Sequence, residues 1–155
     1  MSGSGEAEWD VVAPFVFPVT VGEAHLDEYR HTNNVVYLQW LEQAAWAHSA
    51  SLGLDMAAYQ RLGAGCVVRK HELEYLLPTH LGDRLRVGTW ISANDGRLTT
   101  TREYQIVRER DGKTVLRGMT FFVVVDTVSG KPRRMPAEFS AYVPAERVIK
   151  AGQTL

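Results

Sequence analysis

The sequence predicts an α+β domain in which one long helix is wrapped by an antiparallel sheet of five or six strands. Three observations carry this reading. Residues 35–53 hold a long run of helical periodicity. Four β-patterned runs follow it, separated by short turn-rich joints, and one β-rich run precedes it. Sequential strands with short connections favour antiparallel pairing, and a helix with a wide apolar face needs a sheet to cover it.

Taken in order, residues 1–12 are small and polar and read as a flexible N-terminus. A single domain is expected over 13–143, with a C-terminal tail at 144–155. "FVFPVTV" at 15–21 is rich in β-formers, and Pro18 within it marks an edge strand. A polar loop runs from Gly22 to about Asn33. In "VVYLQWLEQAAWAHSASLG", Leu38, Leu41, Ala45 and Leu52 make one apolar row, and Tyr37, Trp40, Ala44 and Ala47 a second beside it. Asn33 or Asn34 supplies the N-cap and Gly53 the stop. A short helix is expected over Asp55–Arg61. Strands are expected at 66–77, 84–92, 98–110 and 114–126, with "PTHLGD", "NDG" and "RDGK" as the turns between them. "MTFFVVV" in the last strand is apolar on both faces, so it belongs in the sheet interior or at a subunit contact. One helix covers only one sheet face, which predicts a homo-oligomer, a dimer or a tetramer of paired dimers.

The 155 residues suffice for one domain with a real core. Apolar residues make up 45% and charged residues 23%, the balance of a soluble globular protein. A net charge of −1 argues against a nucleic-acid binder. The single cysteine, Cys66, rules out an internal disulfide and suits a reducing cytoplasm. No apolar stretch has the length of a membrane span, and the first residues lack the basic start and apolar run of a signal peptide.

Candidate chemistry gathers at "HLDEYRHTNN", residues 25–34. Asp27 reads either as a loop carboxylate answering the positive helix end or as a general base or nucleophile beside backbone amides that stabilise an oxyanion. His31 either braces the loop or shuttles a proton. Asn33 and Asn34 are caps, compatible with an oxyanion site at the same helix end. Glu42 reads as solvated. His25, His48, His71 and His80 lack metal-ligand spacing, so no metal is expected. Cys66, among valines, reads as a buried inert thiol. Nucleophile-elbow, dinucleotide and P-loop motifs are missing. Lys131, Arg133 and Arg134 form a basic cluster that solvates a turn or binds phosphate.

"HLDEYRHTNNVVYLQWLEQA" resembles the D-x-D-x-x-G-H-x-N-N-x-x-Y-L-x-W-x-E-x-A stretch of hotdog-fold acyl thioesterases of the 4-hydroxybenzoyl-CoA thioesterase type. "EYLLPTHLGDRLRVGTWI" resembles that family's second strand and hairpin, and the segment ending "VVVDTVSGKPRRMP" its closing strands. The resemblance spans about residues 15–140. It implies the hotdog fold, hydrolysis of an acyl-CoA or acyl-carrier-protein thioester, and sites at a dimer interface. It assigns Asp27 as the catalytic carboxylate with His31 as assistant. Backbone amides near Asn34 take the oxyanion, Asn34, Val35 and Tyr37 line the substrate site, and Arg133 and Arg134 are candidate coenzyme A phosphate contacts. No cofactor is expected beyond the coenzyme A of the substrate. His25, Tyr29 and Arg30 depart from the related motifs, and Arg30 at the family's glycine raises the expectation of a differently shaped loop. A non-catalytic hotdog module that binds acyl thioesters is the rival reading.

Overall fold

The computed structural model describes residues 9–149. Strand β1 (Phe15–Thr20) leads through a 3-10 turn (Glu23–His25) to helix α1 (Asn34–Ser51) and a short helix α2 (Met56–Leu62). Strands β2 (Ala64–Tyr75), β3 (Arg84–Asn94), β4 (Thr99–Arg108) and β5 (Thr114–Asp126) follow. They form one antiparallel five-stranded sheet in the order β1-β3-β4-β5-β2. Pro18 lies on edge strand β1, as its missing N–H requires. The doubly apolar β5 lies inside the sheet, between β4 and β2.

One connection differs from the sequence reading. The "PTHLGD" segment does not close a hairpin: β2 pairs with β5, so the chain crosses from one edge of the sheet to β3 near the other. This crossing carries Pro78 and Thr79 past the start of α1, where Thr32 N–H donates to the Thr79 carbonyl at 3.0 Å.

Helix α1 lies on the concave face. Asn33 caps it, its side-chain oxygen accepting the Val35 N–H at 3.1 Å. Val36, Tyr37, Trp40, Leu41 and Ala44 are buried against Leu85, Val87, Tyr104, Ile106 and Leu116. At Gly118 a Cβ would sit 2.7 Å from Leu73 Cδ2 and 3.5 Å from Leu41 Cδ1, so a larger residue would have to push the Leu73 side chain aside. Leu52, expected in the buried row, is exposed because the helix ends at Ser51, and Gly53 then turns the chain at φ 81°. Asp55 caps α2 by accepting the Ala58 N–H.

The convex face is partly covered by the chain itself. Trp9 and Val11, expected in a loose end, are buried; Trp9 stacks on Gly88, and Val11 bridges to Arg147. Asp10 receives two hydrogen bonds from Arg117, at 2.7 and 3.0 Å, and Val12 N–H donates to the Glu146 carbonyl. Residues 9–12 and 144–148 thus form a strap, where the sequence showed only polar or uninformative ends. The rest of both expected tails lies outside the described residues.

Candidate active site

The loop before α1 is tied to itself through Asp27. Its backbone N–H donates to the His31 carbonyl at 2.8 Å, and its carbonyl accepts the Arg30 N–H at 3.0 Å. Its Oδ1 accepts the Tyr29 and His31 N–H groups at 2.8 and 3.2 Å. One carboxylate oxygen is therefore spent on fixing the loop.

Arg30 closes this turn at φ 64°, a left-handed conformation that glycine adopts without strain. Arg30, which stands where the related motif has glycine, thus holds a backbone conformation open to glycine. Its guanidinium is held in a two-bond pair with Glu23, both bonds at 2.9 Å, which pulls the Glu23 carboxyl below its ordinary value.

Asp27, His31, Asn34 and Tyr37 line one pocket of about 210 Å³, together with Thr32 and residues Tyr75 to Pro78 from the end of β2 and the crossing segment. Behind the lining side chains Thr32 and Tyr37 runs a buried hydroxyl chain: Thr32 Oγ1 lies 2.6 Å from Thr79 Oγ1, which lies 2.7 Å from the Tyr37 hydroxyl. Tyr75 donates to the Asn34 carbonyl at 3.1 Å. At the helix start, the Val35 N–H is taken by Asn33 Oδ1 and the Val36 N–H by the Asn33 carbonyl. Among the described residues no hydrogen bond takes up the Asn34 N–H, and Asn34 lines the pocket. Val35, a predicted site residue, does not enter: its amide is capped and its side chain is 64% exposed.

His31 is exposed, its ring edge-on to His80 at 4.9 Å, and its backbone does the work of holding Asp27. His25 accepts the Gly22 N–H at Nδ1 and packs edge-on against Trp40, so it organises the loop. Arg133 and Arg134 are not brought to the pocket within one chain. Arg133 reaches the Leu62 carbonyl, just ahead of β2. The pocket lies past the far end of that strand, which spans 12 residues, about 35 Å away. Cys66 lies against the Tyr59 hydroxyl, and burial pushes its thiol upward, consistent with an inert role. Sequence reasoning missed Thr32, Tyr75 and Thr79. Only the β2–β5 pairing, invisible in the local pattern, places the last two here. Trp46 and Phe122 line a second cavity, while Trp40 is in the core and Phe121 occupies the alternate strand position.

A long helix packed on a five-stranded antiparallel sheet in this strand order defines a hotdog fold, and the family match makes it a thioester hydrolase of that fold. The chain belongs to the thioesterase-like superfamily, whose family model matches residues 19–143. It is 29% identical over 118 residues to the long-chain acyl-CoA thioesterase FadM of Escherichia coli (strain K12), an alignment covering 74% of this chain and 85% of that one. The fold matches the Staphylococcus aureus hypothetical protein SAV2348, solved in complex with CoA, at TM-score 0.81 and 18% identity over 92% of this chain and 94% of that one. It matches Slr0204, a 1,4-dihydroxy-2-naphthoyl-CoA thioesterase from Synechocystis, at TM-score 0.75 and 19% identity over 84% and 95%.

Proposed function

We propose that the protein hydrolyses acyl-CoA thioesters in the pocket at the start of α1, with Asp27 as the reactive carboxylate. The observation that carries this reading is that Asp27 and the open Asn34 amide line the same pocket. The thioester carbonyl oxygen accepts the Asn34 N–H, reinforced by the positive end of α1. Asp27 then takes the proton of an attacking water, or adds to the carbonyl carbon itself to form a mixed anhydride that a water hydrolyses after the thiolate has left, freeing the acid and Asp27. Collapse of the tetrahedral intermediate breaks the C–S bond, and the thiolate leaves to be protonated by solvent. His31 assists by fixing Asp27 through its backbone. The likeness to an acyl-CoA thioesterase and to a protein solved with CoA supports coenzyme A as the thiol. Arg133 and Arg134, remote within one chain, serve its phosphates from a second subunit of a homo-oligomer.

The test is thiol release from short, long and aromatic acyl-CoA esters by wild type and Asp27→Asn. The variant should lose about a hundred- to ten-thousand-fold in kcat with its fold intact by circular dichroism. Full activity in the variant would remove Asp27 from the chemistry. Tight acyl-CoA binding without turnover by wild type would favour the binding module.

A further inference from the structure

A second cavity, of about 190 Å³, lies between the C-terminal half of α1 and the sheet. Ser49 on its wall is about 20 Å along the helix from Asn34. Trp46, Tyr59, Tyr104 and Phe122 give it an aromatic lining, and Arg102 of β4 also faces it. Arg102 is only 3% exposed. Strand alternation puts it on the same face as Tyr104 and Ile106, which is why a cation meets the core here.

Among the described residues, every hydrogen-bond partner of this guanidinium is neutral. Nη1 donates to His48 Nδ1 at 2.9 Å and to Thr89 Oγ1 at 3.1 Å, and Nη2 donates weakly to Ser49 Oγ at 3.4 Å. Burial and the nearby Arg102 charge push His48 down to about 4, so its ring is uncharged at neutral pH. Tyr59 and Tyr142, hydroxyl to hydroxyl beside the cavity, are pushed upward by burial, as is Cys66, so none supplies a negative charge. Glu42 lies on the rim, exposed, and makes no ion pair with Arg102. The contrast within the chain is direct: Arg108 is paired with Asp111 and Arg117 with Asp10. A buried cation without a counter-charge is costly, and the cost falls when an anion joins it.

We propose that this cavity binds a small carboxylate, its apolar body of about one ring among the aromatic side chains and its carboxylate on Arg102. The volume sets the size, since benzene fills a cavity of about 150 Å³. Nη2, held weakly, is the donor free to swing onto the anion, and the cavity's phenols add neutral donors. The carboxylate belongs either to a free acid or to the far end of an acyl group whose thioester is elsewhere; the recognition chemistry is the same.

Calorimetric titration of the full chain with benzoate and with benzyl alcohol tests this without reference to turnover. Benzoate should bind about tenfold or more tightly than the neutral alcohol. Arg102→Met should erase that preference while keeping the fold, because removing a buried unpaired charge is tolerated or stabilising. Benzoate and alcohol binding alike to wild type, or neither binding, would overturn the proposal whatever the variant does. A second arm locates the source. If acyl-CoA esters ending in a carboxylate gain in kcat/KM over neutral esters in wild type but not in Arg102→Met, the ligand is the substrate's far end. Binding of benzoate without that gain identifies a separate carboxylate site.

Discussion

At the scale of single residues, the loop before α1 spends conformational energy to aim one carboxylate. Arg30 holds a left-handed backbone that costs a non-glycine residue about 1 kcal/mol, and Asp27 gives up one oxygen to two amides. His48 makes a different expenditure. It titrates near 6.5 when unfolded but at about 4 in the folded chain, because burial and Arg102 disfavour its charged form. Between those values the unfolded state binds more protons, so this contribution to stability is complete above about 6.5 and is lost as pH falls towards 4. Thermal unfolding followed across that window should show a decline, and His48→Gln should flatten it. An unchanged slope in the variant would assign the decline to other groups. Residue types left Asp27 open between loop carboxylate and base and read Asn34 as a cap and Tyr37 as core; only the family resemblance made all three site candidates. They did not announce Arg102, whose burial follows only from which face of β4 meets the helix.

At the scale of elements, the start of α1 serves both architecture and chemistry, and the two roles separate by one residue. Asn33 caps the Val35 amide, which leaves the Asn34 amide to the pocket. Asn34 is the first helical residue, where proline is favoured, and Asn33 at ψ 136° already has the conformation that a following proline demands. Asn34→Pro therefore deletes the proposed oxyanion donor without breaking the helix. It should retain the unfolding temperature to within a few degrees and lose roughly a hundred- to a thousand-fold in kcat on acyl-CoA. Retained turnover would place the oxyanion elsewhere. The helix and every strand were legible from their periods, with ends shifted by only a few residues. The partner of β2 was not, since a turn-rich joint reads alike whether it closes a hairpin or crosses the sheet. Tyr75 and Thr79 came to the pocket through that unread crossing.

At the scale of the whole molecule, the strap reaches from residues 9–12 to 144–148 across the convex face. Its anchor is Trp9, 7% exposed and stacked where Gly88 leaves room for the ring. Trp9→Ala should cost about 3 kcal/mol in denaturant unfolding, with thioester hydrolysis by the folded fraction unchanged. A cost within error would show that the strap is ornamental. The polar composition of the ends hid it, because a few apolar residues among charges carry no period. Its contacts are also far apart along the chain: the Asp10–Arg117 pair alone joins residues 107 positions apart. During synthesis, then, the first segment emerges early but has no surface to hold until β3 to β5 exist, and no strap partner until residues 144–148 follow. Closure of the strap is a late event in folding, and until it happens the sheet offers Trp90 and its neighbours to any other nascent chain nearby.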